Sequence, residues 1–191
     1  MANNPLDTDL LDRAILFAVK AHAGTERRGK GFPYIVHPLE AVSIVATMTS
    51  DQELLAAAAL HDTLEDTDVT AAEIEAEFGH RVASLVVSET DRMIPGMGEA
   101  ESWHERKKAS MDHLGESSRE TKMVALGDKL SNMRAIARDY AQVGDKLWTL
   151  FHVTERKEHE WHYRTLADAL RELSDTFAFQ EFESLINQVF A

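Results

Sequence analysis

The chain contains no cysteine, and this absence removes several kinds of chemistry at once. Without thiols the protein forms no disulfide, binds no zinc through thiolates and uses no cysteine nucleophile. The composition fits a reducing compartment, and we expect the cytoplasm. The first residues form neither a basic nor an apolar segment, so no secretory signal peptide is expected. No apolar run approaches the ~20 residues that cross a bilayer, so we expect no membrane partner.

Strand-like alternation, internal repeats and low-complexity segments are also missing from the sequence. Apolar residues instead recur at helical spacing along almost the whole chain, for example from Leu10 to Val19. The sequence therefore predicts an all-α fold. We expect residues 1–191 to form a single compact domain. Its core covers about residues 22–140, and helices at about residues 145–190 pack on that core.

Local signals predict where several helices begin and end. Asp51 is expected to cap the helix that carries the apolar run Leu54–Leu60. Thr70 and Glu73 have the spacing of a capping box, and Gly79 and Gly144 are expected to end helices. Thr25–Val36 and Met93–Glu99, which contain glycine and proline, are predicted loops.

Acidic residues outnumber basic ones. The chain has 20 lysines and arginines and 33 aspartates and glutamates, so its formal net charge is −13. Such a surface argues against a nucleic acid polymer as partner, because that binding depends on neutralising phosphates. A small anion is still compatible with the charge, because basic residues cluster locally. Arg28 and Lys30 lie among glycines that allow close approach to an anion, whereas Arg106–Lys108 is typical of a solvated helix face.

The densest group of chemically active side chains follows the apolar run. His61 and Asp62 come directly after it, and Glu65 and Asp66 follow two residues later. If the helix continues through this stretch, His61 and Glu65 lie on one face, as do Asp62 and Asp66. Burying so many polar groups beside an apolar helix is costly unless a partner compensates them, and a metal ion is the simplest partner.

Two further residues, His37 and Asp128, lie in comparably polar surroundings. Histidine and aspartate form a nitrogen and oxygen ligand set that suits Mn²⁺, Fe²⁺ or Zn²⁺. The alternative is structural: His61–Asp62 would be a solvated helix end and Asp128 a capping or salt-bridged residue. Acidic residues at a helix C-terminus oppose the helix dipole, which favours a functional role. We interpret the remaining histidines, His22 and His162 among them, as surface or packing residues, and the tryptophans as core.

Taken together, these motifs resemble the HD phosphohydrolase superfamily and, within it, the RelA/SpoT-type (p)ppGpp hydrolase domain. The resemblance covers most of the chain and depends on five segments in the expected order. These segments are Arg28–Pro38, Ala58–Thr67, Phe78–Val82, Trp103–Lys107 and Gly127–Arg134. Several motifs in order are far more specific than any one of them.

The resemblance implies an all-helical HD fold that binds one divalent metal, for which Mn²⁺ is the expected ion. It implies that the ligands are His37, His61, Asp62 and Asp128. Glu65 and Asp66 would activate the attacking water and handle its proton. The expected substrate-binding residues are Arg28, Lys30, Lys107 and Asn132.

The implied reaction removes the 3′-pyrophosphate of ppGpp or pppGpp and yields GDP or GTP plus pyrophosphate. No synthetase motif follows the hydrolase motifs, so the chain resembles a stand-alone small alarmone hydrolase. Gly29, Ser131 and Ala135 depart from the family pattern where the base and ribose are expected. Another nucleotide or a phosphorylated metabolite therefore stays open as substrate, as does an inactive nucleotide-binding module. The aromatic C-terminal segment leaves a homodimer open.

Overall fold

The computed structural model describes residues 7–27, 29–90 and 98–191, without the side chains of residues 99 and 100. Over these ranges the chain is helical, no strand forms, and β pairing is limited to one isolated bridge between Glu26 and Pro33. The all-α prediction is therefore confirmed. Among the described helices, none is both long and apolar enough to cross a membrane. The chain divides into two compact units, Met1–Thr90 and Asp91–Ala191, and the predicted single domain stays a prediction.

The first unit contains six helices within the described residues. They are α1 (Asp9–Ala21), α2 (Val36–Val45), α3 (Gln52–Leu60), α4 (Thr63–Asp66), α5 (Ala71–Phe78) and α6 (His80–Glu89). The central helix is α3, which packs against α1, α2 and α6. Every residue from Leu54 to Leu60 is buried, and four of them are alanines that let the neighbouring helices approach closely.

The predicted helix ends in this unit are confirmed. The Asp51 carboxylate accepts the backbone N–H of Glu53 at 2.9 Å and caps α3. Thr70 and Glu73 form the reciprocal capping box at the start of α5, and Gly79 ends that helix. Each of these signals acts through hydrogen bonds within a few residues, which is why the sequence alone reveals it.

The helix that carries the polar group is interrupted, contrary to the continuous helix considered above. Helix α3 ends at Leu60, and α4 begins at Thr63 with Asp62 as its N-terminal flanking residue. The Thr63 hydroxyl donates to the carbonyl oxygen of Leu60 at 2.7 Å, and the carbonyl oxygen of Asp62 accepts the N–H of Asp66 at 3.0 Å. Side-chain hydrogen bonding to the backbone competes with the helical ladder here, and it separates His61 and Asp62 from Glu65 and Asp66.

The second unit contains the remaining described helices. They are α7 (Glu99–Glu116), α8 (Arg119–Val143), α9 (Arg156–Ala169) and α10 (Phe177–Val189), with short 3-10 helices at Gly144–Leu150 and Arg171–Leu173. Helix α10 packs on α8 and α9, and α7 packs on α9. The core of this packing includes the fully buried rings of Phe179 and Phe182. Gly144, with φ +58°, ends α8 as predicted, because this conformation is costly for other residues. The predicted loop Met93–Glu99 lies largely outside the described residues.

Candidate metal centre and active site

Three of the four predicted metal ligands meet in the first unit. His37 lies in the first turn of α2, and His61 and Asp62 follow the last residue of α3. The Nε2 atoms of the two histidines are 3.2 Å apart. The Oδ2 atom of Asp62 lies 3.2 Å from Nε2 of His37 and 3.0 Å from Nε2 of His61. Two helix ends therefore bring residues 24 positions apart into contact at one point.

The local backbone determines which nitrogen of His61 can bind a cation. Its Nδ1 atom lies 2.8 Å from the carbonyl oxygen of Ala58, one turn earlier in α3. A carbonyl oxygen only accepts, so Nδ1 carries the proton and the neutral ring presents a lone pair at Nε2. Metal-binding histidines are oriented in this way, with the second ring nitrogen donating to a backbone carbonyl.

The donor set fits a divalent cation. Two imidazole nitrogens and a carboxylate oxygen converge within 3.2 Å, and a divalent cation among them would be attracted to all three. Ligands bound to one ion at ~2.1 Å, at angles between octahedral and tetrahedral, are about 3.0–3.4 Å from each other. The observed separations of 3.0–3.2 Å match this spacing. His37 and His61 are buried, so their ring nitrogens need partners within the protein.

Tyr34, on the loop that precedes α2, contacts the cluster of His37, His61 and Asp62. Its phenol donates a hydrogen bond to Oδ2 of Asp62 at 2.7 Å. Burial raises the pKa of Tyr34 far above its ordinary value, and the carboxylates of Asp62 and Asp66 raise it further. The phenol therefore stays protonated and acts as a donor. Tyr34 is a site residue that the sequence analysis did not identify, although its position three residues before His37 is a signal that could have suggested it.

The two predicted catalytic carboxylates lie in α4. Glu65 and Asp66 are both exposed, in contrast to the buried His61, which precedes Glu65 by four residues. The backbone N–H groups of both residues donate to the carbonyl oxygen of Asp62, at 3.2 and 3.0 Å. This single turn fixes their backbone relative to Asp62 and leaves their carboxylates accessible to water and solutes. The arrangement suits groups that exchange protons with a substrate better than groups enclosed in a ligand shell.

The fourth predicted ligand, Asp128, lies in the middle of α8 in the second unit and is buried. The side-chain amide of Asn132, one helical turn later, donates to its Oδ1 atom at 2.5 Å. The ammonium group of Lys129 donates to its Oδ2 atom at 2.5 Å. The structure thus brings together two predicted site residues, Asp128 and Asn132, and adds Lys129, which the sequence analysis did not assign to the site. Hydrogen bonds from an ammonium group and an amide compensate the burial of this carboxylate.

The predicted substrate-binding residues are distributed over both units. In the first unit, Lys30 lies on a loop that is held by backbone hydrogen bonds from Arg27 to Phe32 and from Tyr34 to Thr25. Arg28 lies outside the described residues. In the second unit, Lys107 is half-buried on α7. Burial lowers the pKa of His162 well below its ordinary value, and the positive charges of Lys107 and Lys129 lower it further.

Comparison with known proteins identifies the family. The family model described as HD domain matches residues 14–157. Over 136 residues the chain is 38% identical to the guanosine-3′,5′-bis(diphosphate) 3′-pyrophosphohydrolase MESH1 of Xenopus tropicalis, covering 69% of this chain and 72% of the relative. It is 35% identical over 139 residues to the MESH1 enzyme of Danio rerio, covering 71% and 73% of the two chains.

Two solved structures have folds similar to that of this chain. A metazoan ortholog of SpoT that hydrolyses ppGpp has a similar fold, with a TM-score of 0.75, 23% identity and coverage of 97% of this chain and 98% of that one. The protein lmo0812 of Listeria monocytogenes matches with a TM-score of 0.70 and 27% identity, covering 81% of this chain and 98% of that one. The chain therefore belongs to the HD-domain family and, within it, to the guanosine-3′,5′-bis(diphosphate) 3′-pyrophosphohydrolases of the MESH1 type.

Proposed function

We propose that this chain is a metal-dependent (p)ppGpp hydrolase, which removes the 3′-pyrophosphate and yields GDP or GTP plus pyrophosphate. The observation that supports this most strongly is the convergence of His37, His61 and Asp62 within 3.2 Å. It occurs in a chain whose relatives at 35–38% identity are named for this reaction. The ligand geometry supports metal-dependent hydrolysis, and the relatives support the choice of substrate.

In this proposal His37, His61, Asp62 and Asp128 hold one divalent ion. All four carry atoms that such an ion accepts, and His37, His61 and Asp128 are buried. Mn²⁺ is the proposed ion because the family resemblance implies it; the mixed imidazole and carboxylate set suits Fe²⁺ and Zn²⁺ as well. Asn132 and Lys129 orient the Asp128 carboxylate in α8, as Tyr34 orients that of Asp62.

A divalent cation at this centre supplies Lewis-acid activation of water and neutralises charge on a phosphoryl oxygen. Glu65 and Asp66 supply the proton chemistry. Their carboxylates are exposed on one turn of helix directly after Asp62, so a substrate can reach them. One carboxylate takes the proton of the attacking water, and the pair returns a proton to the ribose 3′-oxygen when its bond to phosphorus breaks.

Recognition of the anionic substrate is assigned to Arg28, Lys30, Lys107 and Asn132. The net charge of −13 would repel a polyphosphate, so local cations are needed to bind it. Gly31 in the loop that carries Lys30 is fixed by its N–H, which donates to the Glu26 carboxylate at 2.9 Å. This bond restricts the loop and lowers the entropy lost when a phosphate binds.

Gly29 is the reason for considering a second class of substrate. This residue has φ +68°, a conformation that favours glycine, where the related enzymes are expected to have a lysine. The second basic residue of the loop is displaced by one position, to Lys30, so another nucleotide or a phosphorylated metabolite is the alternative substrate. We also propose that the protein is located in the cytoplasm. A homodimer stays open as its assembly.

A substrate panel tests the proposal. Purified protein loaded with Mn²⁺ is given ppGpp, pppGpp, GTP, NADPH and p-nitrophenyl phosphate, and the kcat/KM of each is compared. We expect ppGpp and pppGpp to exceed the others by at least about 100-fold, a difference of ~2.7 kcal/mol in transition-state binding. Preferential turnover of another nucleotide would support the alternative, and metal binding without any turnover would support the inactive module.

A further inference from the structure

His22 is a buried histidine of the first unit that the proposed mechanism does not use. It directly follows the last residue of α1 and is 3% exposed. Neither Nδ1 nor Nε2 has a hydrogen-bond partner among the residues that the structure describes. Burial lowers the pKa of the ring, which is therefore neutral at pH 7. A buried polar group without a protein partner costs stability, so stability alone does not explain a histidine at this position.

The imidazole of His22 packs against the ring of Tyr34. The two ring centroids are 4.9 Å apart, and the ring planes are inclined by 32°. This separation is typical of aromatic rings in contact. The hydroxyl of Tyr34 donates in turn to Oδ2 of Asp62 at 2.7 Å. Two successive contacts therefore connect His22 to a proposed metal ligand.

The backbone holds His22 and Tyr34 close together. Helix α1 packs against α3, which fixes the end of α1 where His22 lies. The carbonyl oxygen of His22 accepts the N–H of Thr25 at 3.1 Å, and the carbonyl oxygen of Thr25 accepts the N–H of Tyr34 at 2.9 Å. Backbone bonds do not fix the side-chain torsions of Tyr34, so the position of its hydroxyl depends on the packing of its ring.

We propose that His22 is a positioning residue for the metal centre: its ring packs on Tyr34 as an apolar surface and keeps the Tyr34 hydroxyl bonded to Asp62. That hydrogen bond fixes the Asp62 carboxylate in the orientation in which Oδ2 lies 3.0–3.2 Å from Nε2 of both His37 and His61. In this role the shape of the His22 ring matters and its nitrogens do not. The inference rests on the proposed function for the binding of a divalent cation by these ligands.

Two substitutions separate the shape of the ring from its nitrogens. His22→Ala removes the ring and leaves space into which Tyr34 can turn, whereas His22→Leu fills a similar volume with apolar atoms. The affinity for MnCl₂ is measured by titration calorimetry without substrate. We expect Mn²⁺ to bind about 10-fold more weakly to His22→Ala, as is typical when the support of a ligand is lost. For His22→Leu we expect a change of less than about threefold.

A double-mutant cycle tests whether His22 acts through Tyr34. Tyr34→Phe removes the hydroxyl and should itself weaken Mn²⁺ binding about 10-fold. In that background His22→Ala should weaken binding by less than about twofold further, because both changes disrupt one interaction. Ile74→Ala is the control for lost stability alone, since this side chain is fully buried in α5 of the same unit. We expect it to lower the midpoint of thermal unfolding and to leave Mn²⁺ affinity unchanged.

Three results would overturn the inference. Equal losses of Mn²⁺ affinity in His22→Ala and His22→Leu would mean that the ring nitrogens, and not the shape of the ring, support the centre. Unchanged affinity in His22→Ala, or effects that multiply with those of Tyr34→Phe, would mean that His22 does not act through Tyr34. An equal loss in Ile74→Ala would assign the effect to stability. A wild-type protein that binds no Mn²⁺ would contradict the proposed function together with this role of His22, whereas the three results above leave the proposed function intact.

Discussion

Metal binding should raise the thermal stability of the protein, and this rise should depend on Asp62 but not on Glu65. The reason is the cluster in the first unit, where three donor atoms lie within 3.2 Å of one another. A cation among these atoms is attracted to all three of them and adds an interaction that the hydrogen bonds between them do not supply. The folded protein should therefore bind the ion much more tightly than the unfolded chain does.

The size of the effect follows from mass action. A ligand at 100 times its Kd stabilises the folded state by about 2.7 kcal/mol. For a chain of this length, each kcal/mol raises the midpoint of thermal unfolding by about 2–4 °C. We therefore expect Mn²⁺ at that concentration to raise the midpoint by about 5–10 °C, and EDTA to reverse the rise.

Differential scanning calorimetry with and without MnCl₂ measures this shift for three proteins. Wild type should show the full shift, Asp62→Ala should show less than about a quarter of it, and Glu65→Gln should show all of it while its kcat falls. Glu65→Gln is the matched control because it removes a charge three residues away and keeps the shape of the side chain. A full shift in Asp62→Ala would refute the assigned ligand, and loss of the shift in Glu65→Gln would make Glu65 a ligand.

Two further predictions concern the scaffold. Asp51→Ala should lower the free energy of unfolding by about 1–2 kcal/mol at pH 7, whereas Asp51→Asn, which keeps a cap, should lower it by less than about 1 kcal/mol. The hydrogen bond from Arg81 lowers the pKa of Asp51, so its stabilisation is present above pH 3.8, the ordinary pKa, and is lost as the pH falls through the lower folded value. Urea unfolding between pH 2 and 7 measures this, and an equal pH dependence in wild type and Asp51→Asn would contradict it. Phe182→Ala should cost about 3–5 kcal/mol, because this ring is fully buried in α10. Phe177→Ala is its control in the same helix, since Phe177 is 87% exposed and should change stability by less than about 0.5 kcal/mol; similar losses in both variants would mean that α10 does not pack through Phe182.

Features that depend on a few neighbouring residues were predictable from the sequence. The cap at Asp51, the capping box at Thr70 and the helix end at Gly144 were each predicted and confirmed. Helical periodicity also depends on neighbouring residues, and it predicted the all-α fold because it indicates which face of each segment is buried. The resemblance of several motifs to a known family, in the expected order, supplied the predicted ligand residues, and this assignment stays a prediction.

Two kinds of feature were not predictable: a break within an apolar helix, and contacts between distant segments. At the break between α3 and α4 the Thr63 hydroxyl donates to the backbone carbonyl oxygen of Leu60, a bond that helix periodicity does not report. Tyr34 reaches Asp62 across 28 positions, and only its place three residues before His37 could have suggested this contact. His22 was interpreted as a surface or packing residue, and the structure assigns it to packing, against Tyr34.

The central claim is that this chain hydrolyses ppGpp at the 3′-position, and phosphorus NMR of the products tests it most directly. Mn²⁺-loaded protein is incubated with ppGpp, and the phosphorus signals are followed until the substrate is consumed. The account predicts one GDP and one intact pyrophosphate for each ppGpp, and no reaction when Glu65→Gln and Asp66→Asn are combined. Release of orthophosphate, loss of the 5′-phosphates, or an unchanged spectrum with metal bound would contradict it.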